Sequence, residues 1–336
     1  MNFHLAFNPR PFSEKINLRQ KIFLMGSCFT ENMGTKLKLN KFDVLENPNG
    51  ILFNPISIAR SFNAYLNAKI YTESDLFYQN ECWNSWEHHS RFSHPDKEQC
   101  LFGINESQQH ANKFLKKADW VIVTLGSAFA YTLQDNTNLS EGNTSATAGD
   151  IVANCHKVPT DKFNKILLPV NEIILGLQKT IEDLILFNPF IKIIFTISPV
   201  RHLREGVVEN NRSKASLILA VHDLVERFES AFYFPAYELV IDDLRDYRFY
   251  AEDLVHPNYG ATNYVWEKFV AAVIEEPTQT LMKEINIINA AKNHKPFNPG
   301  SMLHQKFLKS NLDKATRLAT QHPYLNFDEE IKYFTT

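Results

Sequence analysis

Five short apolar runs, joined by stretches of helical periodicity, constrain this chain more than any other feature. The runs are Lys21–Met25, Phe42–Leu45, Trp120–Leu125 (WVIVTL), Ile191–Ile197 (IKIIFTI) and a short one within FYFPAYELVI, residues 232–241. Each is short enough to be a strand and apolar enough to be buried on both faces. Helical periodicity is expected from about Phe29 to Leu39, in ISIARSFNAYL after Pro55, in LPVNEIILGLQKTIEDLILF, near Ser213–Glu229, and from Pro257 through TNYVWEKFVAAVIEE. Strands alternating with helices predict an α/β fold around a mainly parallel sheet, whose ligands sit at the carboxyl ends of the strands.

Two segments break the alternation. Residues 70–117 are rich in aromatics, His and Ser, and residues 132–165 are polar (LQDNTNLSEGNTSATAGD) before NCHKVP. Both are expected to be cap loops inserted over the strand ends, where long insertions are usually functional. The expected division is an α/β domain over residues 1–276 and a C-terminal helical extension over 277–336, with one helix at Leu303–Ala319. A chain of 336 residues with 44% hydrophobic and 22% charged residues suits a soluble globular protein. Its net charge of −3 gives no reason to expect nucleic acid or a membrane surface as partner. Cys28, Cys82, Cys100 and Cys155 form no C-x-x-C pair. The N-terminal MNFHLAFNPRPFSEKINLRQ has no basic start followed by an apolar stretch, and no run reaches membrane-spanning length. A reducing, cytoplasmic location is therefore expected.

The chemistry concentrates in IFLMGSCFTENMGTKL, Ile22 to Leu37, where a buried strand runs into Gly26-Ser27-Cys28 and then into a helix. That geometry serves either a phosphate on helix-terminal N–H groups or a nucleophile raised on a tight turn. Gly26 and Gly34 have seven residues between them and Thr35 follows, so G-x-x-x-x-G-K-[ST] is absent, as is G-x-G-x-x-G. The nucleophile reading is stronger. Cys28 falls at the first turn of a helix with Ser27 as N-cap, and the positive helix end is expected to depress the thiol pKa. Far along the chain, YAEDLVHPNYG holds Asp253 and His256. With 15 Asp and 12 His in the chain, about 0.5 D-x-x-H pairs arise by chance. The context adds weight: Pro257 holds His256 extended and suits the first turn of the helix that follows. Asp253 is then placed to orient the imidazole of a general base.

A strand–G-x-nucleophile–helix near the N-terminus, with D-x-x-H near the end of an α/β domain, resembles the SGNH (GDSL-like) hydrolase superfamily. The words GSCF at 26–29, NPNGILFNP at 47–55 and NCHKVP at 154–159 resemble the GSCFA family more narrowly. The resemblance implies a flavodoxin-like three-layer sandwich with a five-stranded sheet of order 2-1-3-4-5. Aligned without gaps on L-G-D-S-L-T, MGSCFT puts Cys28 at the nucleophile position, and Ser27 is the alternative one residue away. Gly50 matches the oxyanion glycine of the second block. In the third block Gly126 fits but Ala128 stands where Asn would donate, so Ser127, Asn54 or Asn154 is left to supply that donor.

WEHHSRFSH, Trp86 to His94, and the Cys155-His156 pair lack the ligand spacing of a metal site, and no metal is expected. The resemblance implies that His89 and His156 line the pocket. Arg201 and His202, in SPVRH after the fourth strand, are expected at its mouth, bound to an anionic part of the substrate. The expected function is cofactor-free acyl transfer, as an esterase, deacylase or acyltransferase, and the resemblance implies an acylated small molecule or sugar as substrate. The alternative is a ligand-binding protein on the same fold with weak or absent catalysis.

Overall fold

The computed structural model describes residues 5–134, 146–153 and 155–335. In chain order, β1 (Lys21–Gly26), α1 (Cys28–Leu39), β2 (Asp43–Glu46) and α2 (Pro55–Leu66) come first. A hairpin of β3 (Leu76–Gln79) and β4 (Cys82–Ser85) precedes α3 (Lys97–Leu115) and β5 (Trp120–Leu125). Then follow β6 (Phe129–Leu133), β7 (Ile151–Val152), β8 (Phe163–Leu167), α4 (Val170–Phe187), β9 (Lys192–Ile197), α5 (Val207–Arg227), β10 (Ala231–Tyr233) and a short α6 (Ala236–Glu238). The chain closes with α7 (Tyr259–Val273), α8 (Glu276–Asn293), α9 (Met302–Gln321) and α10 (Asp328–Thr335).

The five expected strands form one sheet, ordered β10-β9-β5-β1-β2, and every pairing in it is parallel. Counted along the chain this is the 2-1-3-4-5 order of flavodoxin-like folds. Side chains alternate across the strands and build two cores. Ile22 and Leu24 of β1 face one core with Phe29 and Met33 of α1 and Val265 and Phe269 of α7. Phe23 and Met25 face the other, with Ile58 and Phe62 of α2, Leu177 of α4 and Leu217 of α5. Helices thus cover both faces, as a sheet of doubly buried strands requires. Ile285, Leu318, Phe327 and Phe334, from the C-terminal helices and their connections, join the first core.

Three expectations change in detail. The second half of the 70–117 segment is not loop but the 19-residue helix α3, capped by Asp96. Its buried Cys100, Ile104, Ala111 and Leu115 follow helical spacing, hidden in the sequence by a polar remainder. The helix after His256 begins at Tyr259 with Asn258 as N-cap, because Pro257 bridges to Tyr250 instead of opening the helix. The first half of the 132–165 segment falls partly outside the described residues, and its end forms β8, antiparallel to β6. Among the described residues no helix is long and apolar enough to cross a membrane.

Candidate active site

The turn after β1 is held on three sides. Gly26 has φ +148°, and a Cβ there would lie 2.2 Å from the Thr124 carbonyl oxygen of β5. Glycine is therefore the residue that lets β1 and β5 stay paired as the chain turns. The Gly26 N–H donates to Asn47 Oδ1 at 2.8 Å, and the Ser27 N–H donates to Thr124 O at 3.2 Å. Ser27 caps α1: its Oγ accepts from the Phe29 N–H at 3.3 Å and donates to Ser198 Oγ at 3.0 Å. Ser27 is 2% exposed, so its hydroxyl works inside the fold. Cys28, the first helical residue, is half-buried and carries a free thiol. Burial pushes its pKa up, against the N–H groups of Phe29 and Cys28 and the charge of Lys214, which pull it down. The expected depressed thiol is overturned: desolvation outweighs the helix N-terminus.

Beneath the turn lies Lys214, which the sequence reading passed over. It is 1% exposed, and its Nζ donates to Gly126 O at 2.6 Å and to Ser198 O at 2.7 Å. The carboxyl ends of β5 and β9 are thereby tied together under Ser198, the partner of Ser27. Burial lowers the Lys214 pKa to about 7, and Cys28 pulls it back up. The signal was present in α5: Asn210, Ser213, Lys214, Leu217, Val221 and Leu224 share one buried face at helical spacing. A lysine on that stripe is a buried lysine.

Asp253 and His256 meet as expected of an acid–base pair. His256 Nδ1 lies 2.6 Å from Asp253 Oδ2, while Asp253 Oδ1 accepts from the N–H groups of Val255 at 2.9 Å and His256 at 3.0 Å. These bonds hold the Asp253 carboxyl down to about pKa 2. The Arg201 N–H donates to Val255 O at 3.1 Å, which fastens this loop to the one leaving β9. Gly26 ends β1, and Gly50, Gly126 and Ser198 follow β2, β5 and β9, so all lie at the carboxyl end of the parallel sheet.

The candidate oxyanion donors divide. The Gly50 N–H is spent on Asn47 O at 2.7 Å, closing a turn whose Gly50 has φ +78°. The Gly126 N–H is spent on Phe53 O at 2.8 Å. The Ser127 N–H has only a long contact to Phe53 O at 3.4 Å, and the Ser127 hydroxyl faces Ser213 Oγ at 3.2 Å. Asn54 caps α2, accepting from the Ser57 N–H at 2.8 Å and donating to Ser57 Oγ at 2.8 Å. Asn154 lies outside the described residues.

His89 packs against Gly50, where a Cβ would come within 2.3 Å of the His89 Cβ, and the charge of Glu31 in α1 reaches its ring. Arg91 links back to Glu31 at 2.5 Å, so this segment lies along the first turns of α1. His156 is buried instead, edge-on to Phe77 and Trp86 at 5.4 and 5.8 Å, with its pKa lowered to about 4 by burial. Arg201 stacks over Tyr250 at 4.3 Å and Tyr247 at 4.8 Å. Among the described residues no cluster of three or more His, Cys, Asp or Glu could hold a metal ion.

Similar proteins put this geometry in a family. No curated protein matches the chain. Among solved structures, a carbohydrate esterase family 3 protein from Talaromyces cellulolyticus aligns over 80% of this chain and 99% of its own, with 11% identity and a TM-score of 0.36. A mutant acetyl esterase with acetate ion aligns over the same 80% and 99%, at 11% identity and TM-score 0.36. Likeness that distant carries no functional conclusion. The family models are decisive: the GSCFA family matches residues 21–269, and the C-terminal domain of GSCFA domain proteins matches residues 285–336. With most of its length covered, from the GSC turn through the Asp253–His256 loop to the last helix, the chain belongs to the GSCFA family.

Proposed function

We propose that this protein is an SGNH-type acyl-transfer enzyme, an esterase, deacylase or acyltransferase, with Cys28 as nucleophile and His256 as general base. The observation that carries the reading is the Asp253–His256 pair, bonded through Nδ1 at 2.6 Å on a loop fastened to the carboxyl end of the sheet. Asp253 fixes the tautomer in which Nε2 accepts a proton. His256 then takes the Cys28 proton, the thiolate attacks the acyl carbonyl, and the imidazolium returns the proton to the leaving group. Water or an acceptor alcohol releases the acyl group by the same exchange. A thiol whose pKa burial has raised needs this base, since little thiolate is present beforehand. The Ser127 N–H, with only a long contact to Phe53 O at 3.4 Å, is the candidate oxyanion donor that the fold leaves least occupied, and the Cys28 N–H at the head of α1 is the second. Ser27 is the weaker candidate for nucleophile because its hydroxyl already caps α1 and donates to Ser198.

A second reading, a ligand-binding protein with weak catalysis, is favoured by the Gly50 and Gly126 N–H groups, both consumed within the fold. A panel of short acyl esters and thioesters, assayed on wild type, His256→Ala and Cys28→Ala, separates the two. Turnover that falls ~10³-fold or more in both variants supports the enzyme. Turnover of no member by wild type, or a His256→Ala rate equal to wild type, removes it.

A further inference from the structure

A cavity of about 430 Å³ opens at the carboxyl ends of β5 and β9, lined by Phe53, Ser127, Lys165, Arg201, His202 and Arg204. Val255, the neighbour of His256 in the chain, forms part of its wall. The volume suits a small-molecule ligand. Its charge does not balance. Among the described residues Glu205 is the one carboxylate lining it, and Glu205 is paired with Lys165. Arg201 lies against the rings of Tyr247 and Tyr250 and the exposed Arg204 faces the cavity, and among the described residues no carboxylate is paired with either. His202 rests on the Phe53 ring at 4.9 Å, and its Nε2 is buried without a hydrogen-bond partner. Burial, together with the charges of Lys214, Lys165 and His256, keeps His202 neutral, so it adds a polar ring to the cavity without a further charge.

We propose that this cavity binds an oxyanion group, a phosphate monoester or a carboxylate, and that the protein's acyl substrate is an anionic ester. The guanidinium forks of Arg201 and Arg204 suit planar or tetrahedral oxyanions. The stacked tyrosines hold the Arg201 guanidinium in place before the ligand arrives, which lowers the ordering cost of binding. Phe53, Phe129 and Tyr131 offer the apolar wall for the rest of the molecule. The identity of the substrate rests on the acyl-transfer reading above, whereas the anion site stands apart from it.

The test uses two readouts on the full chain at low ionic strength. Calorimetric titration with inorganic phosphate, and separately with acetate, is expected to show saturable binding by wild type. Affinity is expected to fall about tenfold in Arg204→Gln and further in the Arg201→Gln/Arg204→Gln double variant. Arg204 is exposed, so the single variant keeps the test valid if loss of the Arg201 stacking disturbs the fold. Binding of phosphate alone selects the phosphate monoester, and binding of acetate alone the carboxylate. The second readout is kcat/KM for 2-acetoxyethyl phosphate and mono-4-nitrophenyl succinate against neutral 4-nitrophenyl acetate. A preference for an anionic ester that shrinks in the variants supports the substrate class. If wild type cleaves none of these esters, the acyl-transfer reading falls and the titration alone judges the site. If the neutral ester is cleaved as well as the anionic ones and neither anion binds, the anion site is overturned while the acyl-transfer reading stands.

Discussion

Lys214 donates to the Gly126 carbonyl at 2.6 Å from a side chain that is 1% exposed. Lysine is almost never buried this fully without a partner, and here the partners are backbone oxygens at two strand ends. The second, Ser198 O at 2.7 Å, belongs to the residue whose hydroxyl receives the Ser27 hydrogen bond. One ammonium thus fixes the floor on which the GSC turn stands.

That arrangement makes stability depend on pH in a definite direction. Burial takes the Lys214 pKa from 10.5 to about 7. Below pH 7 the amine is protonated in both folded and unfolded chains, and the cost of burying its charge is fully present. Between about 7 and 10.5 the unfolded chain keeps the proton that the folded one releases, so this residue's contribution rises with pH. Urea midpoints of wild type and Lys214→Met, compared at about pH 6.5 and about pH 9, isolate the effect. Wild type is expected to gain on the variant at the higher pH, and a constant difference would show that Lys214 does not titrate in this way.

The Cys28 thiol gives a second prediction, opposite to what its place in the sequence suggests. Desolvation raises its pKa although the helix N-terminus and Lys214 oppose the rise. Iodoacetamide labelling of the native protein at neutral pH should therefore be slow at Cys28 and increase as the solution is made alkaline. Peptide mass spectrometry reads each cysteine separately. Rapid labelling of Cys28 below pH 7 would mean that the helix terminus prevails over burial.

These two residues mark what a sequence of this kind does and does not disclose. The central strands β1, β5 and β9 were legible because double burial leaves nearly continuous apolar runs, as in IFLM of β1 and VIVTL of β5. The Asp253–His256 contact was legible because both ends lie three residues apart beside a proline that sets the local backbone. The α5 stripe marks Lys214 as buried, but its partners are carbonyl groups 16 and 88 residues away, which no side-chain pattern announces. The spent N–H groups of Gly50 and Gly126 escaped for the same reason: Asn47 O and Phe53 O are backbone acceptors fixed by the turns themselves. The helix α3 was hidden by the polar residues on its outer face.

The two neighbours in the turn should separate cleanly on substitution. Ser27→Ala removes the α1 cap and the bond to Ser198, and is expected to cost ~1–2 kcal/mol of stability while leaving an active site that still turns over. Cys28→Ala removes the proposed nucleophile and is expected to abolish turnover with little change in the urea midpoint. Activity on a cleaved ester, measured beside the unfolding curve of each variant, gives both numbers. Full activity in Cys28→Ala with none in a folded Ser27→Ala would move the role to Ser27.

Asp253 offers the sharpest test of the acid–base pair, because asparagine can replace half of what it does. In Asp253→Asn the side-chain oxygen can still accept from the Val255 and His256 N–H groups, so the loop is expected to keep its shape. What is lost is the negative charge beside Nδ1, which both selects the tautomer and stabilises the imidazolium formed when His256 takes the proton. In a working triad that loss is expected to lower kcat by ~10⁴ while KM changes little. The wild-type carboxyl, held near pKa 2, stays ionised at any pH where the protein is assayed, so its own titration does not shape the activity profile between about pH 4 and 9. A steady-state comparison of wild type and Asp253→Asn, with circular dichroism to verify the fold, measures the effect. If the folded variant keeps wild-type kcat, the 2.6 Å contact serves only the loop and His256 is not the base.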